Sequence, residues 1–117
     1  MKTSELTGAA LDWAVAKAEG AAWAVWRFNE QHAEGELNYS TDWAQCGPII
    51  ERECIEWQWL PSSSEAHRYG ARRPSLGGLN RTFCMDGPTI LVAAMRCYVA
   101  SKMGDEVEIP EELTEVA

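Results

Sequence analysis

The sequence predicts a small α+β domain in which a short antiparallel sheet carries two main helices on one face. Three observations lead there. The chain has 117 residues, 46% of them hydrophobic, the size and composition of one folded domain spanning residues 1–117. Apolar residues recur at helical spacing near both ends. Between those ends lie short aromatic runs, one of them with strict period-two alternation.

The first helix has a start signal at Thr7, a natural N-cap, unless Thr3 or Ser4 opens it earlier. Leu6 before the cap and Leu11 after it have the spacing of a hydrophobic staple. Leu11, Ala14, Val15 and Ala18 share a face, and Gly20 ends the helix. Residues 21–28, with Trp23 and Trp26, read as a strand, and Leu37 to Ser40 as its returning partner. Thr41 to Gln45 then form one helical turn capped by Ser40 or Thr41. Gly47-Pro48 breaks it and opens a second short turn through Ile49 and Ile50. Ile55, Trp57 and Trp59 alternate with Glu56 and Gln58, as in a half-buried strand. Residues 61–82 show no periodicity and read as one long loop. Arg81 to Met85 suggest another strand. Asp86 caps the second main helix, which starts around Pro88 and closes at Gly104. Residues 107–110 read as an edge strand.

Charge narrows the functional classes. Ten basic against eighteen acidic residues give a formal charge of −8, which disfavours extended nucleic acid and anionic membranes. No apolar run is long enough to span a bilayer, and the first residues lack the pattern of a signal peptide, so the cytoplasm is expected. The middle of the chain reverses sign: residues 61–82 hold Arg68, Arg72, Arg73 and Arg81 against Glu65 alone, leaving six bases and seventeen acids elsewhere. Guanidinium forks match phosphate oxygens two at a time, so this island is a candidate seat for a small phosphate-bearing ligand. The plainer alternative is a solvated loop paired with nearby acids.

Tryptophan is the second signal, at six per chain. Trp57 and Trp59 share a strand face beside the basic stretch, and Trp43 lies within the short helical turn; each could stack on a base if it is not core. Thr89 lies at a helix amino terminus that favours anions, with Arg96 two turns further on the same side. The alternative for this pair is an ordinary helix start and a surface ion pair. Catalysis has little support: His32 and His67 lie in no zinc-binding spacing, and Cys46, Cys54, Cys84 and Cys97 form no CxxC pair. They read as free thiols. Neither a metal nor a cofactor is expected, and the chain is not read as an enzyme.

Three blocks of sequence together resemble the NinX-like family of small phage proteins, encoded among accessory genes of lambdoid phages and related prophages. The first is Leu6-Thr7-Gly8-Ala9-Ala10-Leu11-Asp12-Trp13-Ala14-Val15-Ala16. The second is Thr41-Asp42-Trp43-Ala44-Gln45 with Gly47-Pro48-Ile49-Ile50-Glu51-Arg52-Glu53. The third is Gly87-Pro88-Thr89 with residues 93–102, running on through Gly104-Asp105-Glu106 to Leu113. Cys46 departs from the family pattern where a second glycine usually precedes Gly47, as do Cys54 in place of a polar residue and Ile90 in place of a second proline. The resemblance implies accessory work in an infected bacterial cell and carries no catalytic residues. Taken with the basic island and the indoles, it leads us to expect a binding protein that counters host defence by sequestering a nucleotide-type signal. A homo-oligomer is expected, because a subunit interface encloses a ligand better than one small chain. The alternative is an acidic inhibitor of a host defence or regulatory protein, with indoles as interface anchors.

Overall fold

The longest described helix organises the molecule because it is buried on every side through most of its length. A computed structural model describes residues 1–20, 25–34, 37–61, 64–74 and 82–114. Its elements are a 3₁₀ turn at Thr3–Glu5, α1 (Gly8–Ala18), α2 (Val25–Ala33), α3 (Trp43–Arg52), β1 (Glu56–Trp59) and a second 3₁₀ turn at Glu65–His67. There follow β2 (Tyr69–Pro74), β3 (Thr82–Gly87), α4 (Ile90–Met103) and α5 (Glu111–Thr114). Every residue of α4 from Leu91 to Ala100 is buried, which marks a central helix rather than a surface one. It rests on the antiparallel sheet β1-β2-β3, and α1 packs across it on the side away from the strands. The fold is thus α+β, with its helices on one face of a three-stranded sheet. Alanines at 93, 94 and 100 let these neighbours approach closely, and Leu11, Val15, Phe28, Met95 and Tyr98 fill the space between.

Local chemistry explains the boundaries. Thr7 is the N-cap of α1 by backbone conformation, though its side chain makes no cap bond, and Leu6 and Leu11 are both fully buried. Gly20 follows α1 at φ +80°. At the start of α4 the cap is Thr89, whose Oγ1 accepts the Val92 amide at 3.1 Å. Asp86, read as that cap, lies in β3 instead. Gly87 is required where β3 meets α4: a Cβ there would stand 3.0 Å from the Ala93 nitrogen and from Val92 Cγ1. Gly104 closes α4 at φ +87°.

Several sequence expectations are corrected. Residues 25–28 are helical, not a strand, and Phe28 stacks on His32 one turn later at 5.5 Å; residues 21–24, with Trp23, lie outside the described residues. Tertiary packing of that i, i+4 pair outweighs the weak β preference of Val and Trp. Leu37 to Ser40 form turn rather than strand, ending in a bond from the Asp42 amide to the Asn38 carbonyl at 2.9 Å. The two short turns around Pro48 are one continuous helix, α3. Gly47 makes this possible, since a residue without Cβ escapes most of the clash that keeps pre-proline residues out of the α region. Its cap is Asp42, which accepts the Ala44 amide at 2.9 Å. The stretch read as a long loop contains β2. Residues 106–107 pair with the amino terminus, not with the sheet: Lys2 bridges Glu106, and Met1 and Val107 exchange bonds at 3.0 and 2.9 Å. β1 is where alternation placed it, but it is exposed along its length rather than half-buried.

Candidate functional site

The amino-terminal ends of α3, β2 and α4 border one groove of about 480 Å³. Trp43, the first residue of α3, forms one wall with half its surface exposed. Arg68, at the entrance to β2, forms another; among the described residues its guanidinium has no ion pair. Thr89, Ile90 and Leu91 close the end, with Tyr69 beside Arg68. The first amides of a helix have no acceptor within it, and Thr89 satisfies only that of Val92, so among the described residues those of Ile90 and Leu91 remain available at this end. The groove therefore combines an indole surface, a cation and helix-end donors. Trp43, Arg68 and Thr89 were read from sequence as ligand residues, and the fold brings these three together. Tyr69, Ser40 and Thr41 were not, for each is an ordinary residue until the tertiary fold places it.

The other arginines disperse. Arg72 and Arg73 are adjacent on β2 and so leave on opposite faces. Arg72 pairs with Glu56 at 2.6 Å on the face away from α4. There it borders a second hollow, about 430 Å³, where the Leu60 side chain lies against Gly70 and Trp57 stands at the margin. Arg73 turns inward to Glu53 at 3.0 Å. Arg96 is interior, 5% exposed, and donates to the carbonyls of Leu6 and Asp86 at 2.8 and 2.7 Å. Its reading as a ligand residue is corrected to a tie between the amino-terminal segment and β3. Burial pushes its pKa below the ordinary guanidinium value against the opposing charge of Asp86. Arg81 lies outside the described residues. Trp57 and Trp59 are 48% and 64% exposed on β1, and Trp43 meets Trp57 edge-on at 6.4 Å. Trp13 is core.

Two polar networks escaped the sequence reading. Glu53 is nearly buried at the end of α3 and draws Arg52, Arg73 and Lys102. Desolvation raises its pKa, but these cations outweigh burial and hold it below the usual carboxylate range. Glu19 is held low in the same way by Arg52 and the Tyr98 hydroxyl. Asp12, buried in α1, accepts from His32 Nε2 at 2.9 Å and from the Ser40 amide at 2.7 Å. Burial raises its pKa, and the Ser40 and His32 bonds only partly offset that. Here the acid stands between histidine and serine, so the set braces α1, α2 and the turn before α3 and does not activate a hydroxyl. Among the described residues no three His, Cys, Asp or Glu side chains gather as a metal site. An added Cβ at Gly47 would meet nothing within 4 Å, so no close approach occurs beside Cys46, whose thiol burial pushes up to about 12.

Fold and site together define a small α+β domain with an indole- and arginine-lined groove at the helix ends. A family model described as Bacteriophage P22, NinX matches residues 2–102, and the chain belongs to that phage protein family. No match is found among curated proteins. Among the described residues no helix is long and apolar enough to cross a membrane.

Proposed function

We propose that this phage protein acts by binding, and that its ligand is a nucleotide-type signal of host defence held in the groove between α3, β2 and α4. The observation that carries the reading is the meeting of Trp43, Arg68 and the first turn of α4 in one cavity. A base stacks on the exposed indole. A phosphate takes the Arg68 fork and the amides of Ile90 and Leu91, with the Thr89 hydroxyl as a further donor. The acidic surround excludes long polyanions and tolerates a compact one. Sequestration needs no chemistry beyond this, and the ligand is the small anion expected from the basic island, seated on one of its arginines rather than four.

Titration calorimetry with a panel of cyclic and linear nucleotides tests the reading. One member of the panel is expected to give heat, with Arg68→Glu and Trp43→Ala each weakening it at least tenfold while the melting temperature holds. Silence from the whole panel in a folded sample removes it. A second reading, docking of a basic host protein, is favoured by one observation: Trp43, Trp57 and Trp59 stand exposed together as anchors on a chain of formal charge −8. A stable protein complex recovered from infected cells, with no nucleotide heat, would select it.

A further inference from the structure

We infer that the open edge of β1 joins a second copy of this chain, in an antiparallel two-fold pairing centred on Gln58. The sheet order leaves β1 and β3 as edges. On β3 the outward carbonyl of Asp86 is already taken by Arg96. β1 has no such cover among the described residues. The Leu60 amide donates to the Arg68 carbonyl at 2.6 Å, and bonded positions alternate along an antiparallel ladder. Gln58 and Glu56, opposite Gly70 and Arg72, therefore turn their backbone groups to β2. Those of Trp57 and Trp59 point outward, a ready template for another strand.

Of the two-fold registers that set outward groups against outward groups, three centre within Trp57–Trp59. Centring on Trp57 places Trp59 opposite Ile55, whose amide is already given to the Ile50 carbonyl at 3.0 Å. Centring on Trp59 places Trp57 opposite Pro61, which has no amide hydrogen. Centring on Gln58 places Trp57 of each copy opposite Trp59 of the other, and the outward amides and carbonyls of both residues in both copies find partners. Directly opposed residues share a face, so four indoles meet there, with Trp43 against each Trp57. Glu56 falls opposite Leu60 of the second copy, and no like charges are opposed.

Trp57 and Trp59 are 48% and 64% exposed, which at ~250 Å² per indole residue leaves roughly 280 Å² of apolar surface on each copy, Trp43 being left to the groove. Two copies with their strand backbones fall at the small end of interface sizes, below ~1,200 Å², where association is weak. A reversible dimer follows. Its formal charge of −8 per copy repels at long range, so salt strengthens it.

Sedimentation of the full chain across a hundredfold range of concentration should show a monomer–dimer equilibrium that shifts to dimer as salt rises. Trp59→Lys should abolish the dimer without lowering the melting temperature. In a Cys54→Gly background, Gln58→Cys should form a disulfide-linked dimer on mild oxidation, because the two-fold axis sets position 58 against itself at about 4.5 Å between Cα atoms. Glu56→Cys, four residues out of register with itself, should not. A monomer at every concentration and salt, a dimer indifferent to Trp59→Lys, or cross-linking at 56 in place of 58 would overturn the inference. Nucleotide heat is read separately, so loss of either proposal leaves the other standing.

Discussion

Replacing Arg96 by methionine separates a structural arginine from a binding one. The side chain is 5% exposed and its two hydrogen bonds run to backbone carbonyls, Leu6 at 2.8 Å and Asp86 at 2.7 Å. Bonds from a charged donor contribute about 1.5–3 kcal/mol each. Methionine keeps most of the stem's packing and removes a desolvated charge, which returns part of that loss. The net cost works out at about 3 kcal/mol. Unfolding entropy near ~2 cal/mol/K per residue makes each kcal/mol worth roughly 4 °C in a chain of this length, so the melting temperature should fall by about 12 °C. Thermal and urea melts by circular dichroism measure it, and hydrogen exchange at Leu6 should rise beyond the global loss, since that segment loses its tie to α4. The control is Arg68→Met, exposed and, among the described residues, without an ion pair, expected within ~0.5 kcal/mol of the parent. A fall under about 3 °C for Arg96→Met, with nucleotide binding lost, would refute the structural assignment and restore Arg96 to the ligand set.

Two further substitutions probe backbone strain and buried charge. Cys54 stands at φ +55° directly after α3, where the Ile55 amide bonds the Ile50 carbonyl and the Cys54 amide bonds that of Glu51; Cys54→Gly relieves the left-handed strain and should raise stability by about 1 kcal/mol in urea melts, whereas an unchanged or lowered midpoint would contradict the strain. Glu53 and Glu19 have depressed folded-state pKa values, so their stabilisation is present above the unfolded value near 4.5 and is lost as pH falls through the folded one. Asp12 works in the opposite sense, being raised, and its contribution is present below 3.8 and lost as pH rises through the folded value. The stability gap between the parent and Glu53→Gln should therefore be widest near neutral pH and close in acid; a gap independent of pH would show that the carboxylate charge contributes nothing.

The helices at either end were legible because their signals are local. Thr7 with Leu6 and Leu11, and Gly104 after Lys102, fix boundaries through the backbone of their own turns. α2 was illegible for the converse reason. Val25, Trp26 and Phe28 are individually at home in a strand, and what decides for helix is buried Phe28 stacking on half-buried His32, a contact with no sequence signature beyond one i, i+4 pair. β1 shows a third case. Its alternation was read correctly as a strand, but alternation shows only that two faces differ. It cannot show that the face bearing Trp57 and Trp59 runs past the cover of α4 at the sheet's edge.

Site residues follow the same division. Arg68, Arg72, Arg73 and Arg81 cluster in sequence, and clustering argues for a shared pocket only in a loop, where neighbouring side chains can turn to one point. Once residues 69–74 form β2, neighbours must alternate, and Arg72 and Arg73 go to opposite faces, each to its own glutamate. Strand formation disperses what the sequence gathers. The reverse operates in the groove: Trp43, Arg68 and Thr89 lie 25 and 21 residues apart in turn, yet each begins an element and those beginnings meet at one place. Element starts carry unpaired amides and first side chains that no preceding turn covers, so a cavity bordered by several of them is polar, accessible and held by rigid neighbours. That physical reason, more than the count of arginines, locates the candidate site where three elements begin.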